Sequence, residues 1–206
     1  MSNESYGDHI SPSTDLSFTA TVYSAVRLMQ SLLSLEEELR AVSALCCKAL
    51  ESGHKILACG NGGSACEAQH LTGELMGRYR NDRPGLPAIA LNADSILLTC
   101  IGNDFSFEDL FARQVQALAV PGDVLAVFTT SGSSPNVLNV LSTARRMGIE
   151  SIVFVGREGG AAIGLADYCL LVPHGDTARI QEAHQFLLHS LMDNIERHTG
   201  HLRVGK

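Results

Sequence analysis

The sequence predicts an α/β protein built on a five-stranded parallel sheet. Three observations carry this: five short apolar runs that are continuous rather than alternating, a turn-prone residue closing each one, and a helical pattern after each. The runs are residues 55–59, 87–91, 124–128, 151–155 and 168–172. Continuous apolarity is what a strand covered on both faces needs, since neither side of it meets water. The chain of 206 residues is 45% hydrophobic and 18% charged, enough for one sizeable core. One domain, 16–206, is expected behind a disordered leader, 1–15.

The leader is rich in Ser, Asn, Asp and Gly and poor in apolar residues, so it has little to bury. From 19 to 50 apolar residues return at helical spacing (Val22, Val26, Met29, Leu32, Leu33, Leu39, Val42, Leu45), and Ser34 stands three positions before Glu37, as in a capping box. Two helices are expected there. Further helices are expected at 64–79, 95–101, 107–118, 135–147 and 178–198, with no internal repeat. In open parallel sheets ligands sit beyond the carboxyl ends of the strands, so the chemistry is expected in the loops after the runs.

A formal charge of −7 and a pI near 5.5 oppose a nucleic-acid or anionic-membrane partner, either of which needs a clustered positive field. No stretch approaches the roughly 20 apolar residues of a membrane span, and the N-terminal segment lacks the charged-then-apolar pattern of a secretion signal, so a cytoplasmic protein is expected. Cys46, Cys47, Cys59, Cys66, Cys100 and Cys169 show no CxxC pair or metal-finger spacing and read as reduced packing residues. Low basic charge does not exclude an anionic substrate, because backbone N–H groups and hydroxyls at a helix N-terminus hold one phosphate unaided.

Two loops have that character. Gly60, Asn61, Gly62, Gly63 and Ser64 join the first run to a helix, where glycines let the backbone approach a bound oxygen. The loop lacks both the GxGxxG spacing and the lysine of a nucleotide loop, so no nucleotide cofactor is expected, and a plain tight turn is the alternative. The second loop, Thr129, Thr130, Ser131, Gly132, Ser133 and Ser134, places five hydroxyls in six positions ahead of Pro135. Proline suits the first helical position, which makes Ser134 the N-cap. Capping accounts for one hydroxyl, not five, and phosphate recognition accounts for the set; a capped turn with solvent-facing hydroxyls is the alternative.

Titratable residues recur at helical spacing. His70 and Glu74, four apart, share a helix face; a routine Glu74–Arg78 pair is the alternative. On the last helix Gln181 and His189, eight apart, return to nearly one face, with His184 on a neighbouring stripe. A satisfied buried histidine is the plain reading of His189. Asn103 and Asp104, after Gly102, read as an ordinary turn.

Taken together, Cys59-Gly60-Asn61-Gly62-Gly63-Ser64 and Thr129-Thr130-Ser131-Gly132-Ser133-Ser134 resemble the sugar isomerase (SIS) domain family. Residues 74–87, Gly102-Asn103-Asp104 and Arg179-Ile180-Gln181-Glu182 resemble its bacterial phosphoheptose isomerases. The resemblance spans roughly 50–198. It implies a three-layer, flavodoxin-like sandwich and a ketose–aldose isomerisation between sedoheptulose 7-phosphate and D-glycero-D-manno-heptose 7-phosphate, which feeds heptose into surface polysaccharide such as lipopolysaccharide.

Residue by residue, it implies catalysis by Glu74, moving the carbon-bound proton through an enediol, and by His189 at the sugar oxygens. It implies a zinc ion, one per site, on His70, Glu74, Gln181 and His189. Substrate contacts implied are Asn61, Gly62, Gly63 and Ser64 near the sugar, with Glu74 and Gln181; Asn103 and Asp104 on its hydroxyls; and Thr129, Thr130, Ser131 and Ser134 on phosphate. A homotetramer with sites at subunit interfaces is implied too. Ala65 stands where some members carry a histidine, and Thr129 where serine is usual. Alternatives on the same fold are a non-enzymatic adaptor of replication initiation, a sugar-phosphate-binding regulator, and an isomerase or lyase of hexose phosphates. Glu74 and His189 disfavour the adaptor, and the lack of a helix-turn-helix or basic extension disfavours the regulator.

Overall fold

The computed structural model describes residues 17–199; the expected leader and the ends of the expected domain, 16 and 200–206, lie outside the described residues. Five strands, β1 (Ile56–Gly60), β2 (Ala88–Ala90), β3 (Val124–Thr129), β4 (Glu150–Gly156) and β5 (Tyr168–Val172), form one sheet in the order β2-β1-β3-β4-β5, every pair parallel. Each expected run is a strand.

Side chains on a strand alternate between faces, and here both faces are covered. Ile56 and Ala58 enter one core with residues of α1 (Phe18–Ser31), α2 (Glu36–Glu51), α3 (Gly63–Met76) and α7 (Thr177–Thr199). Leu57 and Cys59 enter the other, with α4 (Ser95–Asp104), α5 (Ala112–Leu118) and α6 (Pro135–Met147). The result is the three-layer sandwich. Its chain leaves β1 toward β2 and returns to β3 on β1's other side, so β1 and β3 flank the point where strand order reverses. In register Gly60 lies opposite Phe128, which brings the loops after β1 and β3 side by side.

Local chemistry moved some expected boundaries. Ser34 does not cap α2: Leu32–Leu35 form a 3₁₀ turn in which the Ser34 hydroxyl donates to the Ser31 carbonyl at 2.9 Å. Leu35 takes the N-cap position, and Glu36, Glu37 and Glu38 supply negative charge to the first turn instead. The segment 107–118 divides into a 3₁₀ turn, Phe107–Asp109, and α5. Helix α4 runs on to Asp104, so Asn103 and Asp104 end a helix rather than form a separate turn. A 3₁₀ turn at Gly160–Gly164 was not anticipated. Cys46, Cys47 and Cys59 pack as expected, and burial pushes the Cys47 thiol up to about 11, but Cys66 and Cys100 are exposed. No helix among the described residues is long and apolar enough to cross a membrane.

Candidate active site

The two loops are tied together side by side. The side-chain amides of Asn61 and Asn136 exchange hydrogen bonds, Nδ2 to Oδ1 at 2.8 Å and 2.9 Å, tying the loop after β1 to the first turn of α6. Gly62 sits at φ +56°, and the Ser64 N–H donates to the Asn61 carbonyl at 3.0 Å as α3 begins. In the second loop the buried Thr129 hydroxyl accepts the Gly132 N–H at 3.2 Å, so it shapes the loop from beneath. Gly132, at φ +64°, lies where a Cβ would collide with the Gly159 carbonyl, and its own carbonyl accepts the Ala162 N–H at 3.0 Å. The unanticipated 3₁₀ turn therefore braces this loop.

Thr130, Ser131 and Ser134 are partly exposed at its rim. Ser134 is the N-cap of α6 as expected, yet its hydroxyl makes no capping bond to the helix. That hydroxyl and the first N–H groups of α6 face the same end, the arrangement that receives an anion.

A second group of residues sits between α3 and α7. His70 Nε2 lies 3.1 Å from Glu74 Oε1, the expected neighbours on one face, and Arg78 is not the partner of this contact. His189 Nε2 lies 3.3 Å from His70 Nε2. The Tyr79 ring stacks on His189 with centroids 5.7 Å apart. Burial first, and the His70 ring second, pull His189 below its ordinary range, while Glu74 and Asp193 pull the other way; the imidazole is therefore neutral at neutral pH. Behind His70 the Glu67 carboxyl is buried, with one oxygen unpartnered, and burial raises its pKa.

Gln185 joins this group unpredicted. Its amide nitrogen lies 2.8 Å from His70 Nδ1 and 3.1 Å from His189 Nε2. It stands four residues after Gln181 and four before His189, so the helical stripe that drew attention to those two passes through it, and the stripe was the available signal. Asn136 gave no such signal, because its partner Asn61 is far away in sequence.

Of the four residues implied for a metal, the structure unites His70, Glu74 and His189, whose ligand atoms lie within 4.8 Å of one another. Gln181 is placed differently: its amide covers Gly63 so closely that a Cβ there would strike it. Gly63 and His70 are two turns apart on α3, about 10 Å along the axis, so Gln181 attends the first loop. Two imidazoles and a carboxylate make a donor set that suits zinc. Glu74 Oε2 is buried without a hydrogen-bond partner, so an acceptor stands unsatisfied where a cation would be held. The three residues fit a divalent ion.

The two groups do not meet within one chain. Helix α3 runs back from the carboxyl edge of the sheet, and Glu74 lies eleven residues beyond Gly63, about 16 Å along the axis. The phosphate-type loop and the proton-transfer group therefore occupy opposite ends of α3. Asn103 and Asp104 stand exposed at the end of α4, bonded to each other at 2.7 Å.

The family profile described as "SIS domain" matches residues 22–156. The phosphoheptose isomerase of Paramagnetospirillum magneticum is 50% identical over 79% of this chain and 85% of its own length. That of Helicobacter pylori is 48% identical over 84% and 91%. The solved structure of the phosphoheptose isomerase from Neisseria gonorrhoeae superposes with a TM-score of 0.82 at 39% identity, covering 87% of this chain and 96% of that one. The pairing of loops after β1 and β3 and the near-complete overlap with these relatives lead to one placement: the chain belongs to the SIS-domain family, among its phosphoheptose isomerases.

Proposed function

We propose that the protein interconverts sedoheptulose 7-phosphate and D-glycero-D-manno-heptose 7-phosphate in the cytoplasm, for heptose and lipopolysaccharide synthesis. The observation that carries this reading is the contact of the Glu74 carboxylate with the His70–His189 pair. An aldose–ketose exchange moves one proton between adjacent carbons and another between their oxygens. Glu74 takes the proton from C1 of the ketose, giving the enediol, and returns it to C2. The neutral His189 relays the proton between the two oxygens, a task for which imidazole is suited near neutral pH. Thr130, Ser131, Ser134 and the N-terminus of α6 hold the phosphate, with Asn61, Gly62, Gly63, Ser64 and Gln181 along the sugar and Asn103 and Asp104 on its hydroxyls.

His70, Glu74 and His189 would hold a zinc ion, one per site. Such an ion supplies Lewis-acid polarisation of the sugar oxygens. Gln181, lying against Gly63 in the first loop, would join these three residues from the subunit whose loops face this cluster.

The separation along α3 supports a site shared between subunits. With carbon–carbon bonds of about 1.5 Å, an extended heptose phosphate spans roughly 10 Å, short of the distance between the first loop and Glu74 in one chain. A homotetramer in which the loops of one subunit face Glu74 and His189 of another removes that mismatch.

Incubation of the purified protein with sedoheptulose 7-phosphate, with aldose formation followed directly, tests the reaction. The wild type should turn over, and Glu74→Gln and His189→Ala should each lose roughly 10²-fold or more in kcat. A wild type that forms no aldose, or two variants that match it, would overturn the reading.

A further inference from the structure

We infer that Arg157, in the turn after β4, is a further substrate-binding residue, whose guanidinium supplies positive charge to the loop that receives the phosphate. The inference deepens the isomerase reading above and rests on it for the role of the loop 130–134.

Charge is what that loop lacks. Thr130, Ser131, Gly132, Ser133 and Ser134 offer hydroxyls and backbone N–H groups, and the N-terminus of α6 adds only partial charge. These groups can hold a phosphate, but a phosphate monoester brings roughly two negative charges near neutral pH, here to a chain of net charge −7. The segments that lead from each strand to the next helix or 3₁₀ turn are 61–62, 91–94, 130–134, 157–159 and 173–176. They form the carboxyl edge of the sheet, where ligands sit. Arg157 is the one lysine or arginine in them.

The sheet sets Arg157 beside the loop. Thr129 lies opposite Val155 in register, so the next residues, Thr130 and Gly156, leave β3 and β4 together. A Cβ on Gly156 would meet the Thr130 carbonyl at 2.7 Å, and one on Gly160 would meet the Gly132 and Ser131 carbonyls at 2.6 Å and 2.7 Å. Both ends of the segment carrying Arg157 therefore rest on the phosphate loop. Arg157 follows Gly156 by one Cα step of about 3.8 Å. It is exposed, and its side chain has no hydrogen-bond or ion-pair partner among the described residues, the adjacent Glu158 included. Arg179, in the first turn of α7, is by contrast committed to Glu182.

The backbone also marks this residue. The Gly159 N–H donates to the Gly156 carbonyl at 3.0 Å, closing a four-residue turn with Arg157 at its first central position, φ +56°. No other non-glycine residue among the described ones has a positive φ. Glycine is the residue such a position favours, so an arginine there is strained without any contact in its own chain to offset the strain. A guanidinium meets phosphate oxygens with two parallel N–H donors, adding geometry as well as charge.

Calorimetric titration tests this in the Glu74→Gln background, where the sugar is not converted. The ligands are sedoheptulose 7-phosphate and, as a probe independent of the sugar, inorganic phosphate. Adding Arg157→Gln should weaken binding roughly tenfold or more, and Arg157→Lys, which keeps the charge but not the paired donors, should fall in between. The gap between arginine and glutamine should narrow as salt rises from about 0.05 M to 0.5 M, since the missing contribution is a screened one; a loop merely misshapen would show the same gap at both. Arg157→Gly should bind as weakly as Arg157→Gln yet unfold at no lower temperature than its parent, because it relieves the turn. Glutamine and glycine proteins that bind as the parent does, a gap indifferent to salt, or an Arg157→Gly protein that unfolds earlier would each overturn the inference and leave the proposed function standing. A parent that binds neither ligand would dismiss the phosphate role of the loop and of Arg157 together.

Discussion

His184 is fully buried, its ring edge-on to Phe128 and Phe154 at centroid distances of 6.2 Å, and neither ring nitrogen finds a side-chain partner. Burial pulls its pKa down to about 4, with the Val155 backbone offering a weak counter-pull. The folded value lies below the unfolded one near 6.5, so the unfolded chain binds the extra proton first as pH falls. Stability is therefore untouched at pH 7 and declines between about pH 6.5 and 4, by about 3 kcal/mol in all. Urea unfolding of His184→Met across this range should give a shallower acid slope than wild type. Equal slopes would mean that His184 does not titrate in this way. The residue also marks where sequence reading stops at this scale. His70 with Glu74, and Ser134 before Pro135, were legible because spacing or adjacency carried the signal. Gln185 and Asn136 were not, since a glutamine on a helix and an asparagine in a first turn become informative only when a partner from another element arrives.

Among the elements, all five strands were legible because burial on both faces leaves an unbroken apolar run, a signal that no long-range contact has to complete. The segment between α3 and β2 was not. Arg83 and Glu196, both nearly inaccessible at 4% and 3% of their side-chain surface, meet at 3.2 Å. Arg83 also donates to the Glu74 and Leu75 carbonyls at the end of α3, at 2.6 Å and 2.8 Å. Glu196 accepts from the backbone N–H groups of Tyr79, Arg80 and Asn81, which holds the segment carrying Tyr79 against α7. This latch joins the helix of Glu74 to the helix of His189 through residues more than 110 positions apart, so no local pattern announces it. Removing one partner leaves the other charge buried and uncompensated. Glu196→Ala should cost about 3–5 kcal/mol in urea unfolding. Arg80→Ala, which breaks the exposed pair with Asp193, should cost less than about 1 kcal/mol. Comparable losses from the two would remove the latch as a distinct structural device.

At the scale of the whole molecule, one helix presents an apolar face outward. Phe18, Val22 and Val26 recur every four residues on α1, with Tyr23 beside them, and all are exposed; Phe18 keeps 82% of its surface. Of the α1 residues only Leu28 is buried, so much of the helix's apolar surface is left uncovered by the described residues of its own chain. Such a face fits the subunit association proposed above, and α1 packs directly on α7, the helix that carries His189. The exposed face of α1 and the separation of the phosphate loop from Glu74 both support the shared site proposed above, in which neither end of the substrate would be served by one chain alone. Subunit mixing tests it. Glu74→Gln lacks the base and keeps the loop; Ser131→Glu keeps the base and repels phosphate. Each should be inactive alone. Coexpressed in equal amounts, they form hybrid oligomers in which some sites join an intact loop from one chain to an intact Glu74 from the other, and random pairing restores roughly a quarter of wild-type activity. A site contained within one chain would restore none, because every chain then carries a defect in its own site. Light scattering on the same samples must show an oligomer, and a monomer there would dismiss shared sites whatever the activity.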